Sequence, residues 1–172
     1  MKQMDEPRRL LRLYLKDHDG ASAGGLGLLR RSTRSNEHTI FGPPLADLHS
    51  EIRSDQDALR QILRQLRIEP SAVKRTAAWC ASAIGRVVPN GHLLTYSPLS
   101  RVLELEALSA AVTAKLCLWV ALGDLAISDQ HLDEQVLANL QRRARAQLDS
   151  LASLHRMAAD LAFATPSESA AA

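Results

Sequence analysis

Aromatic side chains make up only 3% of the 172 residues, two each of Trp, Tyr and Phe, so a core has to come from Leu, Ala and Val. That is a helix-former's composition. Only two cysteines occur, Cys80 and Cys117, and no CxxC spacing, which removes zinc-ribbon, haem-attachment and thioredoxin-type readings. Both lie in apolar helical patterns and read as buried thiols of a reducing compartment. A large charge of one sign is missing as well: 21 basic residues face 19 acidic ones, a net charge of +2 that does not call for a nucleic-acid partner. The opening residues contain no long apolar region with a small-residue cleavage site, so no secretory signal is expected. The run Leu116 to Gly123 falls far short of the roughly 18 residues of a membrane span. A soluble, cytoplasmic protein is the expectation, and mean hydropathy of −0.13 agrees with it. Finally, nothing alternates with period two for long enough to make a sheet.

What is present is helical periodicity. The stretch Ser97 to Leu122 organises the rest, because it is apolar on more sides than a surface helix tolerates. Ser97 suits an N-cap, Pro98 the first helical position, and Gly123-Asp124 a stop. Leu99, Val102, Leu105, Leu108, Val112, Leu116 and Trp119 make one stripe, and Leu103, Ala107, Ala110, Ala114, Cys117 and Ala121 a second. Two stripes require two or more covering elements.

An earlier helix opens near Asp5-Glu6-Pro7 and runs to Arg30-Arg31, its inner stripe passing Leu11, Tyr14 or Leu15, His18, Ala21 or Ser22, Gly25 and Leu28 or Leu29. Gly20, Gly24, Gly25 and Gly27 interrupt it, each at about 1 kcal/mol against alanine. The unbroken spacing still predicts one continuous helix. A second helix starts at Pro43-Pro44 and continues to about Arg67, with Leu45, Leu48, Ile52, Asp55, Leu59, Ile62 and Leu66 on one face. A shorter helix, from Glu69-Pro70-Ser71 to Val88, is long enough to act as a crossover. The last helix begins after Ser128 or Asp129 and reaches Phe163, with Leu132, Val136, Leu140, Ala144, Gln147 or Leu148, Leu151, Leu154, Ala158 and Leu161 inward. The expected organisation is one helical domain over residues 1–165 and a disordered tail over 166–172.

Four long helices with a crossover between the second and third is the topology of ferritin-like bundles. Three motifs carry a closer likeness: Tyr14-Leu15-Lys16-Asp17-His18, Phe41-Gly42-Pro43, and Asn90 through Glu106, which follows NGxLLxYSPLSRxxELE. On these the chain resembles a group of bacterial proteins of the ferritin-like superfamily whose motifs carry no known activity. The resemblance spans nearly the whole chain and implies an all-α ferritin-like fold, not a reaction.

Ferritin-like enzymes hold two metal ions with Glu-x-x-His pairs, since i and i+3 share a helix face. None of the six histidines has an acidic residue three positions earlier. A looser inward set remains: His18, Glu51, Asp55, Glu104 and Glu106. Glu106 stands in register with Leu103, Ala110 and Cys117, where a buried carboxylate needs a partner. The structural expectation is a hydrogen-bonded group among His18, Asp55, Glu106 and an arginine such as Arg101, fixing register. The alternative is a degenerate iron or manganese site at His18, Glu51, Asp55 and Glu106.

Arginine clusters at Arg8-Arg9-Arg12, Arg30-Arg31-Arg34 and Arg142-Arg143-Arg145 are diluted by acids and lack stacking aromatics, so they read as solvated faces. No GxSxG occurs, AGGLG lacks the strand and lysine of a phosphate loop, and no catalytic residue is assigned. The function expected is therefore association without catalysis and without a cofactor. A homodimer is expected, with Trp79 and Trp119 as anchors; neither a membrane nor nucleic acid is expected as a partner.

Overall fold

Two helix starts follow from the residue in front of them. The structure, a computed structural model, describes residues 6–69 and 96–164. Its helices are α1 (Glu6–Ser35), α2 (Gly42–Gln65), α3 (Pro98–Ala126) and α4 (Glu134–Phe163), with no strand among the described residues. Ser97 is extended and its hydroxyl accepts from the Ser100 N–H, with Pro98 at the first helical position. Asp133 does the same for Val136 at 3.0 Å. That cap starts α4 several residues later than Ser128 or Asp129, and Val136 and Leu161, expected inward, are exposed. With Asp133 as cap, Leu137 takes the buried place one turn in.

α1 is continuous through its glycines. At Gly25 a Cβ would stand 4.0 Å from the Ala111 Cβ, so the glycine-rich middle of α1 brings its backbone close to α3. α2 ends with Arg67 in the left-handed region at φ 54, and the Ile68 N–H bonds back to Leu63 O at 2.8 Å. That is a Schellman-type cap with arginine where glycine fits best.

Gly123-Asp124 does not stop α3, which continues to Ala126. The Gln141 amide explains the glycine: its nitrogen lies 2.8 Å from where a Cβ would sit and donates to Trp119 O at 3.2 Å. Val102, Leu105, Leu108, Val112 and Trp119 of the first stripe are buried, Trp119 at 1% exposure, and Leu99 and Leu116 are half-buried. Trp119 is thus a core residue and not a surface anchor. The second stripe is only partly covered: Leu103 and Ala107 are half-buried, whereas Ala110, Ala114, Cys117 and Ala121 are exposed. Cys117 is a free, exposed thiol, contrary to the buried one expected. Among the described residues, α1 and α4 pack against α3 and shelter only its inner side. Cys80, Trp79, the crossover helix and the tail lie outside the described residues.

Helix directions follow from side-chain pairs. Arg31 meets Glu104, Gln56 meets Ser22, Arg143 meets Asp55, and His155 meets Glu106, so α1–α3, α1–α2, α2–α4 and α3–α4 are each antiparallel. It follows that α2 and α3 run the same way. The chain leaves α2 at one end of the bundle and enters α3 at the other, beside the α1–α2 turn. Leu15, Leu29, Leu45, Leu63, Leu105, Leu108, Leu118, Leu122, Leu137 and Leu151 fill the centre with Trp119 and Phe41. Each buried leucine contributes roughly 1.5–3 kcal/mol relative to exposure.

Candidate functional site

Beside the Asp19, Ser22, Gln56 and Arg60 group between α1 and α2, two polar centres lie inside this leucine core. The first lies at mid-bundle, around Asp55 on α2, which is 1% exposed. Lys115 on α3 donates to Asp55 Oδ2 at 2.5 Å and to Gln147 Oε1 at 2.5 Å. From α4, Arg143 Nε donates to Asp55 Oδ1 at 2.6 Å, and its Nη2 reaches the same oxygen. The Gln147 amide nitrogen donates to Asp55 Oδ2 and to Glu51 Oε2, both at 3.1 Å. Burial lowers the Lys115 pKa, and the Asp55 carboxylate opposes that shift. A carboxylate at this depth is tolerable because two cations and an amide satisfy it.

The second centre closes the end of the bundle where α1 stops and α3 starts. Glu104, 1% exposed, accepts from Arg31 at 2.6 Å and from the Tyr96 hydroxyl at 3.0 Å. Asn36 donates to that hydroxyl at 2.8 Å and accepts from Arg101 Nε at 2.6 Å. The Arg101 guanidinium also lies over the Phe41 ring, 4.4 Å from its centroid. Burial raises the Tyr96 pKa. Gly42 belongs here too: a Cβ would come within 2.7 Å of Asn36 O and 2.8 Å of Glu37 O. Phe41-Gly42 and Tyr96 through Glu104, distant in sequence and both part of the three motifs singled out above, therefore meet around Asn36.

The four sequence candidates for metal do not converge. Glu51 and Asp55 share the Gln147 amide. Glu106 points outward with a side chain 55% exposed, bonded to His155 Nε2 at 3.1 Å. It sits on the second stripe of α3, which α1 and α4 flank but do not cover, so the inward reading of Glu106 is corrected. His18 is half-buried on α1, edge-on to the Tyr14 ring at 4.6 Å, and burial lowers its pKa against the pull of Asp17. Arg101 serves Asn36, not Asp55. Among the described residues no three His, Cys, Asp or Glu side chains gather as a metal-holding group.

Lys115 was missed from sequence, Arg143 was read as part of a solvated face, and Gln147, an alternative on the inward stripe of the last helix, is buried but was not assigned to a site. One signal was available for the first: Lys115 is the only charged residue between Glu106 and Asp124. Beside this centre, α2 and α4 leave a cleft of about 320 Å³ lined by Pro43, Pro44, Leu48, Glu51, Ala146 and Gln147, among others. Comparison of the chain with protein-family models, curated proteins and solved structures finds no match.

Proposed function

We propose that this chain is a non-catalytic, ferritin-like bundle that works by association, as a homodimer built on the outer face of α3. The ferritin-like reading is supported by α2 and α3 running the same way, which puts the end of α2 and the start of α3 at opposite ends of the bundle. It is supported also by the convergence of the motif residues around Asn36.

The observation that carries the association reading is the uncovered side of α3. An 18-residue window of this helix has mean hydropathy 1.6, long and apolar enough by composition to cross a membrane, yet only 33% of it is buried. Ala110, Thr113, Ala114, Cys117, Val120 and Ala121 are exposed there with no charged side chain among them. Lys115 and its ion pair turn inward and fasten α3 to the bundle, so this helix is a bundle member with one bare side. Bare apolar faces of this kind mark interaction surfaces.

Light scattering and sedimentation across micromolar concentrations test the reading. A dimer is expected, and Ala114→Arg, which keeps a good helix former at an exposed position, is expected to return it to monomer. A wild-type monomer throughout that range overturns the proposal.

The competing reading is a degenerate iron or manganese site that retains Glu51 and Asp55. Lys115 and Arg143 already neutralise Asp55, and two fixed cations oppose a third. Elemental analysis of protein purified without chelator separates the readings. Stoichiometric iron or manganese, lost in Glu51→Gln, favours the metal site.

A further inference from the structure

We infer that the outward side of α1 at Gly20, Ala23 and Gly24 is the docking surface for residues 70–95 of the same chain, which join α2 to α3. The inference goes beyond the self-association proposed above and leaves the bare face of α3 to a second copy.

The middle of α1 is a run of small, uncharged residues that α2 and α3 only half explain. Ser22 meets Gln56 of α2, and Gly25 lies against Ala111 of α3. Gly20 stands two residues from Ser22 and five from Gly25, about 200° and about 140° round the helix, so it points away from both neighbours. Ala23 and Gly24 flank the same side one turn on. That side is nevertheless covered. Gly20 is buried, and from His18 to Leu29 no residue of α1 is exposed, whereas α2 and α4 expose a side chain in every turn. α4 does not pack against α1. The cover is present in a single chain, so a second copy does not supply it.

Length and end points favour residues 70–95 as the occupant. α2 ends and α3 begins at opposite ends of the bundle, and the helices that flank both are α1 and α4. In helical form this stretch extends about 39 Å, against about 36 Å for the 24 residues of α2. α4 turns Arg142, Arg145, Asp149 and Arg156 outward, all exposed, whereas α1 carries no charge between Asp19 and Arg30. Val73, Ala77, Cys80 and Ile84 recur at helical spacing and make an apolar stripe that suits the uncharged side. Glycine and alanine there let helix axes approach to about 8 Å, a use for glycines that otherwise only weaken α1.

Cys80 supplies the probe. Arg60 is level with Asp19, so Glu69 comes level with Leu10, and a helical rise from there brings Cys80 level with about Ala21. Under mild oxidation in a Cys117→Ser background, Ala23→Cys is expected to form an intramolecular disulfide with Cys80, and Arg142→Cys, at a similar level on α4, is not. Peptide mapping by mass spectrometry reads the pairing. Gly20→Leu is expected to lower the thermal midpoint by about 5 °C or more, and Gly27→Leu, where a side chain meets open space, not to lower it. Pairing through Arg142→Cys, pairing at neither position, or a Gly20→Leu midpoint at or above that of the wild type overturns the docking surface and leaves the homodimer standing. A Cys80–Cys117 disulfide within one wild-type chain puts these residues on α3 and overturns both. A monomeric wild type overturns the homodimer alone.

Discussion

Lys115 and Asp55 join α3 to α2 across the middle of the bundle, two helices that do not otherwise pair, with 2.5 Å between ammonium and carboxylate. The cluster around Asp55 depends on its carboxylate, because Gln147 and Arg143 on α4 bond to it as well as Lys115.

Removing the carboxylate should cost far more than removing the amine. Asp55→Ala leaves half-buried Lys115 and the more exposed Arg143 as neighbouring cations without their carboxylate and is expected to destabilise the fold by about 3 kcal/mol. Lys115→Met leaves Asp55 with Arg143 and Gln147 and should cost clearly less. Urea unfolding of the two variants ranks them; the opposite order would refute this account of the centre.

Acid should weaken the fold in a window set partly by His18. Burial holds its pKa below the unfolded value of 6.5, so between the two values the unfolded chain binds more protons. Stability contributed by neutral His18 is complete above pH 6.5 and is lost as pH falls toward the folded pKa. His18→Gln is therefore expected to flatten the stability profile just below pH 6.5 relative to wild type. The same sign holds for Lys115 at the alkaline end: its lowered pKa makes stability rise with pH up to about 10.5.

Two glycine substitutions should move stability in opposite directions. Gly42→Ala drives a methyl into the Asn36 and Glu37 backbone and is expected to cost about 1–3 kcal/mol. Gly27→Ala meets nothing within 4 Å in a helix interior and should stabilise by up to about 1 kcal/mol. Thermal unfolding by circular dichroism reads both shifts.

Arg67 holds a left-handed backbone at the end of α2. Arg67→Gly removes the clash between Cβ and carbonyl that this conformation imposes and is expected to stabilise by about 1 kcal/mol. A loss of stability in the same denaturation assay would show that the arginine side chain outweighs the backbone relief.

Helix positions were legible because each amphipathic period and each cap is local. Ser97 and Pro98 announce α3, and Leu45, Leu48, Leu59 and Ile62 mark the inner face of α2 wherever its neighbours stand. The candidate site was half legible. Asp55 shares a face with leucines and so had to be buried, whereas Glu106 matched a stripe that the finished bundle leaves outside. Periodicity reports that a helix side is apolar; it does not report whether a neighbour arrives to cover it. Gly123 was misread for a related reason, since the Gln141 side chain that needs its missing Cβ is eighteen residues away and on another helix.

Composition and spacing alone dictated an all-helical chain with a leucine core, because backbone geometry and hydrophobic patterning act within a few turns. Which carboxylate is neutralised by which cation, and which side of α3 stays bare, was decided only when four helices met. Such pairings depend on helix order and direction, and those belong to the assembled chain.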